Sequence, residues 1–419
     1  MYGIMASRAS LDESFLPSAT VLPGPAKEAL RVGSNTSTNE QSMVRPKVVK
    51  DTKAVIIDIG TGSCKIGYAG ELKPLFVVSS TVGKPLREAW NTGGNQKQYF
   101  IGKQKDMFSD ISQKLVNPLR HGVIEDWDCI EAILEYLFVQ EMKIQPDEHA
   151  VLLSDPPRSP ITKREKYTEM MFETFNIPAF HIAHQSTLSM YSYGKTSSLV
   201  VESGHGASYV VPIVEGKILP DIIGKVNYAG ADVTRFLLSV LNQTRYQFQE
   251  EHLAAIEDMK NKYCYVSRDL TEDMRIPKRK YQVEYTLPDG KRITIGKERF
   301  MCPEVLFRPS LIESSQPGLH HLTMTCINNC NTSFKKTMLN NILLCGGTTM
   351  LEGFPERFQK ELDNLLGHQK PCVLACPERK FSVWRGGSIL ASLDSFQQRW
   401  LHRKEYEEHG TFIIYRQSF

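Results

Sequence analysis

Two short segments of this chain repeat one arrangement of an acid and two glycines. Residues 58–62 read Asp-Ile-Gly-Thr-Gly and residues 202–206 read Glu-Ser-Gly-His-Gly, and each segment follows a β-branched apolar run. Such a run predicts a buried strand that turns sharply, with glycines that let backbone N–H groups approach a phosphate. One copy is weak evidence, because Gly-x-Gly turns are common in hairpins. Two copies with one spacing predict a duplicated domain with a nucleotide between its halves.

A third segment has related chemistry. Residues 341–345, which are apolar after Asn341, run into Gly346 and Gly347, and a helix is predicted from about residue 355 to residue 366. Strand, glycine pair and helix place small residues where a ligand approaches the carboxyl end of a strand.

Composition limits the classes of protein to consider. The chain has 419 residues, 41% of them hydrophobic, which is enough for two domains with separate cores. A net charge of +3 gives no bulk electrostatic reason to expect nucleic acid, and no apolar run reaches the roughly 20 residues of a membrane helix. The nine cysteines lack the spacing of a zinc site, so we expect most of them to be small core residues, in a reducing compartment.

Apolar periodicity predicts the elements that would position the glycine turns. Residues 1–50 have none and are expected to be a disordered N-terminal extension. A helix is predicted from near Asp126 or Asp128, and another follows a short buried strand at residues 151–153. The apolar stripes of these two helices are predicted to be core: Ile130, Ile133, Leu134, Leu137, Phe138, Tyr167, Met170, Met171 and Phe175.

These segments resemble one family, the actins and actin-related proteins. Residues 58–65 look like the first phosphate loop of that family, residues 202–206 like the second, and residues 345–350 like the adenosine loop. The likeness extends over about residues 53–419. Other segments that carry it are residues 115–122, 127–128, 260–265, 287–290, 377–380 and 382–393. Residues 154–157, 191–196 and 200–206, with the long extension, look closest to the seventh actin-like protein group of male germ cells.

The resemblance implies an actin-like ATPase fold, which has two duplicated α/β domains around a nucleotide cleft. The cleft would hold ATP or ADP with Mg²⁺. By the same resemblance, residues 51–195 and 385–419 form the first, outer domain, and residues 196–384 form the second, inner domain.

The resemblance also assigns site residues. Asp58 and Glu202 would face the metal ion through water, which suits the oxygen ligands that Mg²⁺ prefers. Gln185 matches the family's water-orienting glutamine and is the single catalytic candidate. The nucleotide would be held by Gly60, Thr61, Gly62, Ser63, Cys64, Lys65, Gly204, His205, Gly206, Lys260, Asn261, Gly346, Gly347, Thr348, Met350 and Lys380.

The chain departs from the family's pattern close to the predicted γ-phosphate position. His205 stands where actins have an acid, Tyr209 where they have a histidine, and Glu202 where they have an aspartate. A tyrosine with a pKa of about 10 does not replace an imidazole in proton handling near neutrality. We therefore expect weak ATP hydrolysis or none.

The surface used for polymerisation also departs from the pattern. Residues 87–97 match the position of the family's mobile loop, which inserts apolar residues into the next subunit, but they are mainly polar apart from Trp90. Desolvating polar groups without partners is unfavourable, so a homopolymer is not expected. The expected partners are other actin-like, actin-related and cytoskeletal proteins, without nucleic acid or membrane insertion.

Three functions remain open from the sequence. The first is a structural, ATP-binding cytoskeletal protein of spermatids and the sperm head, in the cytoplasm. The second is an active ATPase or sugar-kinase-like enzyme, which would need a carboxylate base beside a sugar pocket. The third is a nuclear actin-related subunit of a chromatin complex, supported only by residues 277–280, Pro-Lys-Arg-Lys.

Overall fold

The computed structural model describes residues 52–86, 99–107, 113–244 and 246–416. Residues Val48–Phe419 form one compact unit. Two predictions lie outside the described residues: the disordered extension at residues 1–50 and the polar loop at residues 87–97.

The described residues alternate between strands and helices. The strands are β1 (Val55–Ile59), β2 (Ser63–Tyr68), β3 (Phe76–Ser79), β4 (Val82–Pro85), β5 (Gln113–Val116), β6 (Leu119–Arg120), β7 (Val123–Ile124), β8 (Val151–Asp155), β9 (Ala179–His184), β10 (Ser198–Ser203), β11 (Ser208–Val214), β12 (Lys217–Ile218), β13 (Gly224–Val226), β14 (Val283–Thr286), β15 (Arg292–Ile295), β16 (Ile342–Cys345), β17 (Val373–Leu374) and β18 (Leu401–His402).

The helices lie between and after these strands. They are α1 (Gln104–Met107), α2 (Trp127–Glu135), α3 (Ile161–Glu169), α4 (Gln185–Ser192), α5 (Gly230–Asn242), α6 (Leu253–Tyr263), α7 (Leu270–Asp273), α8 (Lys278–Tyr281), α9 (Glu298–Met301), α10 (Leu319–Asn329), α11 (Thr332–Asn340), α12 (Phe354–Leu366), α13 (Ser382–Ser392) and α14 (Arg403–His409).

Two six-stranded sheets share the connectivity of five strands. The first has the order β18-β9-β8-β1-β2-β3, and the second has the order β12-β11-β10-β16-β17 with β13 also paired to β11. In each sheet the central strand forms an antiparallel hairpin with the next strand, β1 with β2 and β10 with β11. The same central strand pairs in parallel with a strand far along the chain, β8 or β16. The predicted duplication of an α/β unit is therefore confirmed.

Burial explains why the central strands are continuous apolar runs. Every residue of β1 and of β10 is buried, as expected for strands covered on both faces. Helix α2 begins after Asp126, whose side chain accepts a hydrogen bond from the Cys129 N–H at 3.1 Å and so caps the helix. The apolar stripes predicted for the two helices are buried as expected: Ile130, Ile133, Leu134, Leu137, Phe138, Tyr167, Met170, Met171 and Phe175.

Helices α4 and α13 pack closely beside the first sheet. A Cβ atom added at Gly386 would collide with the carbonyl group of Leu188, so only glycine allows this approach. The indole Nε1 of Trp384 donates to the carbonyl oxygen of Ile56 at 3.0 Å and joins α13 to β1. Because Gln185 is the first residue of α4, this packing fixes where its side chain enters the cleft described below.

The division into two domains stays a prediction. Its boundary between residues 384 and 385 falls inside α13.

The basic residues 278–280 lie in the exposed helix α8. All nine cysteines lie in the described residues and are free thiols. None of the described helices combines the length and the hydropathy of a membrane span.

Candidate functional site

A cavity of about 980 Å³ opens where the ends of β1 and β10 meet. This volume lies at the upper end of the range for small-molecule sites, about 300–1,000 Å³. The glycine turns that follow β1, β10 and β16 all line it. The structure brings nearly all the predicted site residues together here: Asp58, Gly60, Thr61, Gly62, Ser63, Lys65, Gln185, Glu202, Gly204, His205, Gly206, Lys260, Asn261, Gly346, Gly347, Thr348, Met350 and Lys380.

Cys64 is the exception among the predicted site residues. Side chains alternate along β2, so Ser63 and Lys65 reach the cleft while Cys64 points into the core. The Cys64 Sγ atom lies 3.4 Å from the Ser80 Oγ atom, and burial raises the pKa of the Cys64 thiol to about 11. The Cys64 side chain therefore does not line the cleft, and the predicted role of Cys64 in holding the nucleotide falls to its backbone.

The two acid-glycine turns are built alike. In the first, the N–H of Gly60 donates to the carbonyl oxygen of Ser63 at 3.2 Å; in the second, the N–H of Gly204 donates to the carbonyl oxygen of Ala207 at 3.3 Å. The glycines at positions 60, 62, 204 and 206 all have φ outside the left-handed region. A special backbone conformation is therefore not the reason for glycine in these turns.

The reason is that the two turns touch each other. A Cβ atom added at Gly62 would lie 2.8 Å from the Cβ atom of His205, and one added at Gly206 would lie 2.7 Å from the Oγ1 atom of Thr61. Real Cβ atoms do not approach other heavy atoms this closely. The contact is reciprocal, because each turn places a glycine against a side chain of the other.

The segment from the end of β5 to the turn between β6 and β7 connects to both turns. The Nδ2 atom of Asn117 donates to the carbonyl oxygen of Thr61 at 2.6 Å, and the Nδ1 atom of His121 donates to the carbonyl oxygen of Gly206 at 2.7 Å. Both residues lie in the segment 115–122 that carried the family resemblance, but no spacing in the sequence predicts these bonds. These two bonds hold the turns in a fixed position relative to each other.

Three side chains hold Asp58. The Lys65 ammonium lies 3.1 Å from Asp58 Oδ2, the Ser154 hydroxyl donates to Oδ1 at 2.6 Å, and the Gln185 amide donates to Oδ1 at 3.3 Å. The Gln185 amide also donates to the Ser154 hydroxyl at 3.2 Å. The carboxylate is therefore oriented, and the Gln185 amide is bonded to protein atoms.

Glu202 occupies a less polar environment than Asp58. It is 8% exposed, and the Ser186 hydroxyl donates to its Oε2 atom at a distance of 3.4 Å. Burial and, second, the charge of Asp58 raise the pKa of Glu202 to about 7, while the charge of Lys65 opposes this rise. A cation in the cleft would stabilise the charged form of both carboxylates.

Tyr209 takes the position in the second hairpin that Lys65 takes in the first. Lys65 pairs across the hairpin with Asp58, and Tyr209 pairs with Glu202. Burial, followed by the charge of Glu202, raises the pKa of Tyr209 above its ordinary value. The hydroxyl therefore stays protonated and is not a base near neutral pH.

His205 and Lys260 share one carboxylate on the wall of the cleft. The Glu257 Oε1 atom lies 3.2 Å from His205 Nδ1 and 3.6 Å from Lys260 Nζ. The hydrogen bond from His205, and the charges of both residues, lower the pKa of Glu257 to about 2. The Lys260 ammonium also donates to the Gly230 carbonyl oxygen at 3.0 Å and to the Thr234 hydroxyl at 2.8 Å. These bonds fix the cation at the cleft.

The third glycine segment joins the second turn. Gly346 has φ of +90°, and a Cβ atom there would collide with the carbonyl group of Ser203. The Thr348 hydroxyl donates to the Gly204 carbonyl oxygen at 2.5 Å. Gly347 has no neighbouring atom within 4 Å of its added Cβ position, so its side opens to the cleft.

Comparison with known proteins agrees with this geometry. The family model for actin matches residues 49–419. The chain belongs to the actin family. It is 55% identical to actin-like protein 7A of Rattus norvegicus over 390 residues, which cover 91% of this chain and 88% of that protein. It is 52% identical to actin-like protein 7A of Homo sapiens over 421 residues, covering 99% and 96% of the two chains.

Actin-like protein 7B of Mus musculus is 53% identical over 393 residues, covering 93% of each chain. The predicted membership of the actin family, its seventh actin-like group and the actin-like fold are therefore confirmed. The chain is an actin-related cytoskeletal protein.

The contact between the two turns predicts that alanine at Gly206 and alanine at Gly204 have different effects on the free energy of unfolding. Gly206→Ala is expected to lower the free energy of unfolding by about 1–3 kcal/mol, because the new methyl group meets Thr61. Gly204→Ala is the matched control, since the nearest atom to its added Cβ lies 3.9 Å away. This control is expected to be neutral or slightly stabilising, because it restricts the unfolded chain. Urea unfolding of both variants measures the difference.

A substitution at Thr61 tests whether contact with Thr61 causes the loss of stability in Gly206→Ala. Thr61→Gly removes every atom that the new methyl group meets, so Gly206→Ala is expected to cost less in that background than in the wild type. The turns do not touch if Gly206→Ala lowers the free energy of unfolding by the same amount in both backgrounds. The same conclusion follows if Gly204→Ala and Gly206→Ala change that free energy equally.

The raised pKa of Glu202 predicts a pH dependence of stability. Its pKa rises from 4.5 to about 7 on folding, so the stabilisation is present below pH 4.5 and is lost as the pH rises through about 7. Without divalent cations, the wild type is expected to lose on the order of 2 kcal/mol relative to Glu202→Gln between pH 5 and pH 8. Urea unfolding in EDTA measures this, and parallel pH profiles for the two proteins would contradict it.

Proposed function

We propose that this chain is a structural actin-like protein that binds ATP or ADP with Mg²⁺ in its cleft and hydrolyses ATP weakly or not at all. It assembles with other actin-like or actin-related proteins in the cytoskeleton of male germ cells, in the cytoplasm of spermatids and in the sperm head. The observation that carries this proposal is the contact, in one cleft, of two acid-glycine turns with the same spacing.

The chemistry of the lining supports a nucleotide. The backbone N–H groups of the glycine turns and the ammonium group of Lys65 suit a polyphosphate. Lys260 and Lys380 would lie at the nucleoside, beside the open face of Gly347. Mg²⁺ would supply charge neutralisation of the phosphates, with Asp58 and Glu202 holding its waters.

The same geometry supports slow turnover. A water that attacks a phosphate must be oriented, and a nearby group must accept its proton. The Gln185 amide donates to Asp58 and Ser154. Tyr209 keeps its proton near neutral pH, so it does not replace a histidine as acceptor.

Surface features support assembly with different partners. The C-terminal region exposes Phe412 and Tyr415, which are 72% and 55% exposed and stack with ring centroids 6.1 Å apart. Exposed aromatic pairs are typical of protein contacts. The polar character of residues 87–97 argues against the homopolymer contact of actin.

Nucleotide binding is tested by thermal melting with and without Mg·ATP. A ligand held only by the native state raises the melting temperature, so we expect an upward shift. Gly347→Leu is expected to reduce this shift while leaving the melting temperature without nucleotide nearly unchanged, because the new side chain enters the open cleft. Gly290→Ala in a distant hairpin is the control: its φ of +84° is expected to lower the melting temperature without nucleotide, but the shift caused by Mg·ATP is expected to stay as in the wild type.

Slow turnover is measured in the same samples. Phosphate release is expected to be well below that of muscle actin run in parallel. The absence of any nucleotide shift in the wild type would reject the cleft as a nucleotide site. Phosphate release at the actin rate would reject slow turnover alone.

Assembly is tested by sedimentation and negative-stain microscopy. In salt and Mg²⁺ that polymerise actin, the purified chain is expected to stay monomeric or form small oligomers, and to assemble when other actin-like proteins are added. Long two-stranded filaments of this chain alone would overturn that expectation. Deleting residues 1–45 separates two causes, because filaments formed only by the truncated chain would identify the extension as the obstacle.

A further inference from the structure

The segment between α7 and β14 is strongly basic. Residues 274–283 contain four cations and no acid; the cations are Arg275, Lys278, Arg279 and Lys280. All four side chains are exposed, and none of them forms an ion pair with any residue that the structure describes. The nearby cations Arg268, Lys291 and Arg292 differ in this respect, because each of them pairs with an acid. Positive charge is therefore left unpaired at one place on the surface.

The fold holds residues 278–280 on the single turn of helix α8. The Arg299 guanidinium donates to the carbonyl oxygen of Tyr281 at 2.7 Å, and the rings of Tyr281 and Phe300 pack edge to face with centroids 5.6 Å apart. Successive residues of a helix point about 100° apart, so the three cations spread over about 200° around the turn. A flat membrane surface would meet only part of this spread, whereas a protein segment can follow it.

The strand that follows α8 has an open edge. In the hairpin of β14 and β15, the N–H of Leu287 donates to the carbonyl oxygen of Lys291 at 2.8 Å. Hydrogen-bonded and non-hydrogen-bonded pairs alternate along two antiparallel strands. By the register of the hairpin, Glu284 and Thr286 fall in the non-hydrogen-bonded pairs. Their main-chain N–H and C=O groups therefore point away from β15.

The two edges of this hairpin are not alike. On β15, the N–H of Thr294 donates to the Tyr246 hydroxyl at 2.9 Å, and that hydroxyl lies 3.2 Å from the carbonyl oxygen of Thr294. On β14, Glu284 and Thr286 are exposed, and the described residues supply no partner for their outward main-chain groups. An exposed row of unpaired N–H and C=O groups is a template for an extended chain.

We propose that residues 275–286, here called the basic edge, bind an extended acidic segment of a partner protein. The main chain of this segment adds a strand beside Glu284 and Thr286, and its carboxylates meet the cations of α8. The two features are continuous, because only Gln282 separates α8 from β14. Charge complementarity selects an acidic partner, and the strand edge selects an extended one. The proposal goes beyond the proposed function, because no residue of the cleft takes part.

The test is fluorescence anisotropy of the full chain with two labelled peptides. Each peptide has four acidic residues and four alternating valine and threonine residues. The acids come first in one peptide and last in the other, because an added strand runs in either direction. The wild type is expected to bind one of them, and more weakly as salt screens the charges. Lys278→Gln/Arg279→Gln/Lys280→Gln is expected to weaken binding by about tenfold or more, because charge-assisted hydrogen bonds are lost.

A second triple variant is the matched control for charge. Lys336→Gln/Lys370→Gln/Lys404→Gln removes the same charge from three other exposed lysines and is expected to keep most of the wild-type affinity. Both triple variants are expected to keep the wild-type melting temperature, because the replaced side chains are exposed. An unchanged melting temperature separates a lost contact from lost structure.

The strand edge is tested separately by Thr286→Pro. Proline removes the N–H that points away from β15 and leaves the hydrogen bonds between the two strands in place. Binding is expected to weaken by about fivefold or more, and Thr286→Ala, which keeps the N–H, is expected to bind like the wild type. A peptide that is N-methylated at its valine and threonine residues is expected not to bind the wild type. This last measurement needs no variant of the hairpin.

Four results would overturn the proposal. One is failure of both acidic peptides to bind the wild type, and another is equal affinity in the wild type and in the α8 variant. A third is equal binding of the methylated and unmethylated peptides. The fourth is binding of phosphatidylserine vesicles without binding of either peptide, which would assign the basic edge to a membrane surface.

Discussion

The cleft of this protein depends on a contact between two turns. In this contact, a glycine of each turn packs against a side chain of the other turn. Gly62 lies against His205, and Gly206 lies against Thr61, at distances that leave no room for a Cβ atom. This contact sets the distance between the ends of the two central strands β1 and β10, and therefore the width of the space that a phosphate chain would enter. The hydrogen bonds from one segment, residues 115–122, to both turns keep that distance constant.

The two halves of the fold share a strand topology, but the groups around their two acids differ in charge. In the first hairpin the acid Asp58 faces a lysine; in the second, Glu202 faces a tyrosine. Both carboxylates are buried, but Asp58 is held by a cation and two neutral donors, whereas Glu202 accepts from one hydroxyl and has a pKa raised to about 7. The tyrosine keeps its proton near neutral pH, so Tyr209 does not supply the proton acceptor that the resemblance gives to a histidine at this position.

Much of this fold could be predicted from local patterns in the sequence. Apolar runs, glycine spacing and helical stripes predicted the central strands, the three glycine turns and the buried helix faces, because each depends on neighbouring residues. Contacts between distant segments could not be predicted, among them the bonds of Asn117 and His121 and the pairing of His205 with Glu257. Cys64 was placed at the cleft by resemblance, although strand alternation directs it to the core. The sequence explained glycine in these turns by the approach of a phosphate, but at Gly206 the structure shows that the opposite turn already leaves no room for a Cβ atom.

We propose that the contacting turns form a nucleotide site in the native protein. This is measured by purifying the full chain gently, without added nucleotide, denaturing it, and identifying any released compound by chromatography and mass spectrometry. We expect a purine nucleotide in an amount close to one per chain, and much less from Gly347→Leu. Folded protein from which no nucleotide is released, and which takes up none when Mg·ATP is supplied, would contradict it.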